Sequence, residues 1–325
     1  IGGTSSRRTE LSVSSYPPVV SRLVDGFAAR RPMRAKSMVI TFFGDVASQH
    51  GQTVWLGSLI ATMAKLGVNE RLVRTSVFRL VQEGWLESNR VGRRSYYRFS
   101  TFGLSEYERV TARIYDLEEP IWSRVWQLVV PVNVGEQVKD AFFRSLSWQG
   151  YRQISPGLFA RPGAGGAELQ TMLEEYGARD NVLLMNADES ALSSRVALRE
   201  VIDTRWKLDE VAADYRSFLK RFQPLQRWLN QKTAIDTEAA LVIRLLLVHE
   251  YRRLLLRDTP LPAVLLPSSW PGTKAKLTAA GIYRQVANPS VAYIMAHLEG
   301  LHGRLPKPSK QFTQRFAPQP IANAN

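Results

Sequence analysis

The hydrophobic pattern of residues 34–103 predicts helices first and a β-hairpin last. Apolar residues recur at helical spacing in three stretches, and Gly67 and Gly84 mark the ends of the second and third. Asn69 can cap the third helix, and Gly92 can turn the hairpin. This order is that of a winged helix-turn-helix. The predicted helices are 36–49, 58–66 and 70–82, and the predicted extended segments are 53–56, 85–91 and 93–100.

The rest of the chain alternates strands and helices and then turns helical. Residues 122–190 follow the order β-α-β-β-α-β, which is ferredoxin-like. Long amphipathic stretches after residue 191 predict a mainly helical C-terminal domain, so the fold class is α+β and multidomain. The predicted divisions are a mobile arm (1–33) with one short helix, a winged helix (34–103), a linker helix (104–121), a ferredoxin-like dimerisation domain (122–190), a helical effector and dimer domain (191–303) and an irregular tail (304–325).

Net positive charge is concentrated in the first folded segment. The chain carries 43 Lys and Arg against 29 Asp and Glu, a formal net charge of +14. Residues 30–115 hold 14 basic and 6 acidic residues, whereas residues 116–325 hold 26 and 21. This distribution favours a polyanionic partner for the N-terminal segment. Cysteine is absent, and no apolar run reaches the roughly 18 residues of a membrane span, which is typical of a cytoplasmic protein.

The third predicted helix and the hairpin carry the candidate DNA contacts. Arg74, Thr75 and Arg79 follow Arg71 by three, four and eight residues and lie on the same helix face, where the arginines can donate paired hydrogen bonds to guanine. Three arginines around one glycine turn can hold the minor groove or the backbone, and of two adjacent tyrosines one packs inward and the other is available to DNA. A basic surface helix without a ligand remains the alternative for the helix alone. The candidates are Asn69, Arg71, Arg74, Thr75, Ser76 and Arg79 on the helix, and Arg90, Arg93, Arg94 and Tyr96 on the hairpin.

Several long motifs resemble the PaaX family of phenylacetic acid catabolism repressors. They occur in the family's order over residues 36–316. The N-terminal motifs are GSL (57–59), NERLVRT (69–75), FRL (78–80), EGWL (83–86) and GRRSYY (92–97). The later ones are SWQG (147–150), LLLVHEYRR (245–253) and the proline-rich stretch ending in WPG (270–272).

The resemblance implies an operator-binding homodimer. It implies three parts, namely a winged helix, a ferredoxin-like middle and a helical C-terminal domain. It also implies repression of aromatic degradation genes, with double-stranded operator DNA released by phenylacetyl-CoA or a related aryl acyl-CoA. No membrane partner and no resident cofactor are expected.

A CoA thioester needs cations for its phosphates and an apolar slot for its acyl group. In the LLLVHEYRR motif, the histidine and two arginines share one helix side. Tryptophans more often pack in the protein core than bind a ligand, and a histidine on a helix more often hydrogen-bonds within the protein. A structural role therefore remains an alternative to effector binding at each position. The effector candidates are Arg144, Trp148, His249, Arg252, Arg253 and Trp270.

An enzyme is not expected. The chain has no P-loop, no Gly-x-Ser-x-Gly motif and no clear metal spacing among its four histidines. The ferredoxin-like segment resembles small nucleases of CRISPR adaptation, but its first strand, 126–133, ends without the carboxylate that a metal-dependent nuclease requires. A DNA-binding architectural or constitutive regulator without effector remains an alternative, although the 200-odd residues after the winged helix argue against it.

Overall fold

The computed structural model describes residues 16–117, 122–163, 166–188, 194–258 and 261–316. The chain forms two compact units, each assembled from separate segments. The first unit comprises Ile1–Asp116, Phe218–Arg253 and Lys276–Asn325, and the second comprises Leu117–Ser217 and Leu254–Ala275. Residues 1–15 of the predicted arm and residues 317–325 of the predicted tail lie outside the described residues.

Helices and strands follow one another in three groups along the chain. The first group is α1 (Pro18–Ala28), α2 (Ala35–Asp45), β1 (Val54–Trp55), α3 (Leu56–Ala64), α4 (Glu70–Gln82), β2 (Leu86–Val91), β3 (Arg94–Phe99) and α5 (Thr101–Tyr115). The second is β4 (Val125–Pro131), α6 (Glu136–Trp148), β5 (Arg152–Ser155), β6 (Leu158–Pro162), α7 (Ala167–Glu175) and β7 (Val182–Asp188). The third is α8 (Arg195–Arg205), α9 (Leu208–Leu229), α10 (Thr237–Leu255), α11 (Pro271–His297), β8 (Glu299–Gly300), β9 (Gly303–Arg304) and α12 (Lys310–Gln314).

Helix α2 lies at the centre of the first unit. Nine of its 11 residues are buried, which is typical of a helix surrounded by other elements. It packs against α4 and α5. Gly44 allows the close approach of α5, since a Cβ there would lie 2.1 Å from the Tyr107 ring. Beside these helices, β1, β3 and β2 form an antiparallel sheet in that order.

The second unit is built on an antiparallel sheet with the order β5-β6-β4-β7. Alternate residues of its strands face opposite sides. Val129 and Phe159 pack against α6 and α7, whereas Trp126 and Ala160 pack on the other face, in a cluster that includes Ile202 of α8. Both faces of the sheet are therefore covered by helices.

The predicted arm is only partly correct. Residues 17–28 carry an amphipathic pattern, and α1 buries Val19, Val20 and Phe27. Phe27 packs edge to face against the His249 ring, with ring centres 5.4 Å apart, and Arg30 forms an ion pair with Glu250. The described half of the arm, residues 16–33, is thus a packed part of the first unit rather than a mobile extension, because these contacts tie it to α10.

The predicted C-terminal boundaries also need correction. Helix α8 and residues around Leu265 complete the core over the β4–β7 sheet, so the sheet unit does not end at residue 190. The predicted irregular tail is packed as far as it is described. Phe312 of α12 is buried, as are Arg315 and Phe316, because aromatic and arginine side chains there reach partners in the first unit.

Candidate nucleic-acid interface

Helix α4 presents a polar and basic face to solvent. The Asn69 side chain caps it by accepting a hydrogen bond from the Leu72 backbone N–H at 2.9 Å. Arg71, Arg74 and Arg79 are exposed on one side, where the helical period places them together. Arg74 pairs with Glu70 at 2.7 Å, an exposed contact that a phosphate or base can replace.

Two neighbouring positions on α4 differ from the prediction. Ser76 is only 5% exposed and lies on the core side with Val73, Val77 and Leu80, so it cannot contact DNA in this arrangement. Phe78, an apolar residue of the helical pattern that predicts α4, is 64% exposed rather than buried. It stands three residues after Thr75 and therefore belongs to the arginine face. The regular spacing from Arg71 could have indicated this.

The β2–β3 hairpin carries a second set of arginines. Val91 pairs with Arg94, so Gly92 and Arg93 form a two-residue turn. Gly92 has a φ of 60°, which a tight hairpin turn accepts without strain. Arg90 and Arg93 are exposed at this end. The Nε of Arg90 donates a 3.3 Å hydrogen bond to the Gly92 carbonyl.

Arg94 and Tyr96 have partners within the first unit. The Arg94 guanidinium forms an ion pair with Glu299 at 2.8 Å and lies 4.5 Å from the centre of the Trp55 ring. Tyr96 is 7% exposed because strand alternation turns it inward opposite Trp55. Tyr96 is therefore a packing residue and not part of the exposed surface, and its neighbour Tyr97 is the less buried of the two tyrosines.

A buried ion cluster anchors the end of α2. The Asp45 carboxylate accepts hydrogen bonds from Arg244 at 2.7 Å, Arg315 at 2.8 Å and the Tyr115 hydroxyl at 2.6 Å. Burial raises the pKa of Asp45, but the two guanidiniums outweigh it and lower the pKa below its usual value. The cluster thus joins α2 to α5, α10 and the chain after α12. Arg244, alone among apolar residues 239–248, was the sequence signal that could have indicated a buried partner.

The six effector candidates divide between the two units. In the first unit, His249 and Arg252 are buried, His249 against Phe27 and Arg252 over the Tyr107 ring. Arg253 pairs with Glu250 at 3.4 Å. The helix side that these three residues were predicted to present to an effector is therefore occupied by contacts within the protein.

In the second unit, the candidates lie in separate surroundings. Arg144 and Trp148 are exposed on α6, and Trp148 is 81% exposed. Trp270 instead packs against Tyr215, with ring centres 5.8 Å apart. Helix α6 packs on one face of the β4–β7 sheet and Trp270 on the other, so Trp270 is apart from Arg144 and Trp148 and the predicted effector set needs correction.

The described part of the chain offers neither a metal cluster nor a membrane span. Among those residues, no three His, Asp or Glu side chains are grouped so that they could hold a metal ion. None of the helices described is both long enough and apolar enough to cross a bilayer.

Comparisons with known proteins match two separate stretches of the chain. Residues 34–103 match the family model of the PaaX-like protein, and residues 206–296 match that of the PaaX-like protein C-terminal domain. The transcriptional repressor PaaX of Escherichia coli (strain K12) is 38% identical over 286 residues, which cover 88% of this chain and 90% of that protein. The solved structure of the uncharacterized protein Rv0674 from Mycobacterium tuberculosis is similar with a TM-score of 0.46 and 20% identity, over 72% of this chain and 90% of that one. The chain therefore belongs to the PaaX family of transcriptional repressors.

Proposed function

We propose that this protein represses phenylacetate catabolism genes by binding operator DNA as a homodimer, and that phenylacetyl-CoA or a related aryl acyl-CoA releases it. The observation that carries the DNA-binding step is the exposed arginine face of α4, close along the chain to the arginine-bearing β2–β3 hairpin. A basic helix followed by a basic hairpin suits a duplex, whose grooves are flanked by phosphates. A DNA partner of this kind also implies a cytoplasmic location.

The arrangement of the N-terminal elements supports a winged helix. Helices α2, α3 and α4 precede the hairpin, and β1 pairs with β3 to complete a three-stranded sheet. In this fold the third helix enters the major groove. Arg71, Arg74 and Arg79 would then read base edges, while Arg90 and Arg93 would contact the backbone or the minor groove.

The order of the β4–β7 sheet supports the ferredoxin-like interpretation of the second unit. Its strands connect as β-α-β-β-α-β and lie in the order β5-β6-β4-β7. The edge strand β7 exposes Leu183 and Met185, two apolar side chains on one face. We assign the homodimer contact to this unit, since paired reading helices must be held at a fixed spacing to match a palindromic site.

A fluorescence anisotropy titration tests the proposal. Labelled duplexes from upstream of phenylacetate degradation genes are titrated with the protein, and phenylacetyl-CoA is then added, with free CoA and free phenylacetate as controls. We expect specific binding that weakens with salt and is reversed by the thioester alone. Sedimentation of the DNA-free protein checks the dimer.

Each part of the proposal has its own contrary result. Specific binding that ignores phenylacetyl-CoA would indicate a constitutive regulator and remove the effector step. Absence of salt-dependent binding to any of the duplexes would contradict the DNA-binding step itself.

A further inference from the structure

A cavity of about 350 Å³ lies within the first unit, between α1, the end of α9 and α10. Its apolar lining includes Leu23, Phe27, Phe222 and Leu246. Pockets of this size with aromatic and aliphatic walls are typical of small-molecule sites. The cavity is thus suited to an apolar group of ring size.

The charged lining of the cavity is strongly positive. Among the described residues, Arg22, Arg30, Lys220 and Arg221 line it together with one carboxylate, that of Glu250. Glu250 is already engaged, because Arg30 donates two hydrogen bonds to it at 2.5 and 2.8 Å and Arg221 donates one at 2.6 Å. Positive charge therefore exceeds negative charge in a partly enclosed space, and an anion would reduce this imbalance.

The cavity is connected to the DNA-reading elements by direct contacts. Phe27 lines the cavity and packs edge to face against the His249 ring, with ring centres 5.4 Å apart. The Nδ1 atom of His249 lies 3.4 Å from the Thr41 hydroxyl of α2, and α2 packs against α4. A ligand can therefore alter how α2 supports α4 if it binds more tightly when α1 or Phe27 is displaced than when it is in its present position.

We propose that this cavity is the effector site, and that it takes an anionic thioester whose apolar aryl acyl end enters between Phe27 and Phe222 while its phosphates meet Arg22 and Lys220. This assignment rests on the proposed function, which supplies the ligand class. It differs from the site predicted from the sequence. His249 acts behind the cavity wall as a positioning residue and does not contact the ligand.

Two kinds of variant test the site. Gly26→Leu places a side chain in the cavity, where a Cβ meets no atom within 4 Å, and it raises helix propensity in α1. Arg22→Gln combined with Lys220→Gln removes two exposed cations that lie far along the chain from α4. Matched controls are Ala29→Leu, at the exposed end of α1 outside the cavity, and Arg195→Gln, in a separate basic pocket of about 210 Å³ in the second unit.

Phenylacetyl-CoA binding is measured by isothermal titration calorimetry on the DNA-free full chain, and operator affinity without ligand is measured in parallel. We expect each cavity variant to weaken thioester binding about tenfold or more, as lost charge-assisted contacts or lost space would do. Operator affinity in the absence of ligand, and the melting temperature, should stay near those of the wild type. Both controls should bind the thioester as the wild type does.

The binding results distinguish an error in the cavity assignment from an error in the proposed effector response. Wild-type protein that does not bind phenylacetyl-CoA overturns the effector step of the proposed function and the cavity assignment with it. Wild-type binding that persists unchanged in Gly26→Leu and in the double variant overturns only the cavity. Loss of binding in Arg195→Gln, with normal binding in the cavity variants, moves the site to the second unit.

Discussion

Adjacent residues on α4 meet opposite surroundings, and this decides which of them can read DNA. Thr75 is exposed and its hydroxyl donates to the Arg71 carbonyl at 2.9 Å, whereas Ser76 is buried beside Val77. The sequence indicated the arginines correctly as surface residues because charged side chains are rarely buried without partners. It misplaced Ser76 because serine fits either side of a helix at little cost.

Arg74 is the residue whose removal tests the reading face most directly. If it donates to guanine, Arg74→Ala should weaken operator binding by about 1–3 kcal/mol and relax the preference at one base pair. Competition binding against single-base operator variants measures both effects. Lys310→Ala, an exposed charge change on α12, is the control and should bind as the wild type does. Unaltered affinity and preference in Arg74→Ala would assign the reading face to other residues.

Buried histidines should make the protein less stable in acid. Burial lowers the pKa of His249 to about 3, opposed by Glu250 and assisted by the Arg252 guanidinium, and burial lowers the pKa of His50 to about 4. Below their unfolded-state pKa of 6.5 these histidines take up protons in the unfolded chain but not in the folded one. The free energy of unfolding must therefore fall as the pH drops from 6.5 towards 4.

His249→Phe should remove about half of this acid sensitivity. Each histidine contributes up to about 1.4 kcal/mol per pH unit within the window, and phenylalanine does not titrate. Urea denaturation at pH 7.5 and pH 5.5 measures the effect above the range where carboxylates titrate. The exposed His302→Phe should keep the wild-type difference between the two pH values. A His249→Phe variant with full acid sensitivity would show that His249 is protonated in the folded state.

At the scale of elements, local sequence patterns were informative. Helix α4 spans Glu70–Gln82, the range that the apolar spacing and the Asn69 cap predict, and the β2–β3 hairpin turns at Gly92 as expected. Helix α12 was missed because its five residues give no period to detect, and prolines around it favour an irregular reading. Short elements held by tertiary contacts leave little signal in the sequence.

Arg93 at the hairpin turn should behave differently from Arg94, whose guanidinium is held by Glu299 and Trp55. Arg93→Ala removes a charge from the turn, so it should weaken specific and nonspecific duplexes alike and flatten the plot of log K against log salt concentration by about 0.9. Anisotropy titrations over a salt series give this slope. Lys139→Ala, on α6, should leave it unchanged.

Arg94→Ala tests a different role in the same hairpin. Loss of the Glu299 ion pair and the Trp55 contact should lower hairpin protection in hydrogen exchange. If hydrogen-exchange protection of the hairpin stays complete in Arg94→Ala but falls in Arg93→Ala, Arg93 is the packing residue and Arg94 the DNA contact.

At the scale of the molecule, the predicted domains are consecutive stretches of the chain, whereas the observed units are not. The predicted linear domains became two units, each made from separated segments, because α10 and residues up to 316 pack with the N-terminal helices. Contacts between residues about 200 positions apart leave no periodic trace, so patterns alone could not predict them. The long motifs did identify the family, and membership of a repressor family confirms the prediction of a regulator rather than an enzyme.

The Asp45 cluster should hold the first unit together. Asp45→Asn leaves the buried Arg244 and Arg315 guanidiniums without their carboxylate, and breaking a buried ion pair from one side costs about 3–5 kcal/mol. Urea denaturation measures this loss, and operator binding below the unfolding transition should weaken as well, because Asp45 ends the helix on which α4 rests. Asp25→Asn, an exposed change on α1, should alter the free energy of unfolding by less than about 0.5 kcal/mol. An Asp45→Asn protein as stable as the wild type would mean that the two arginines find other partners, and the unit would then depend on its apolar core alone.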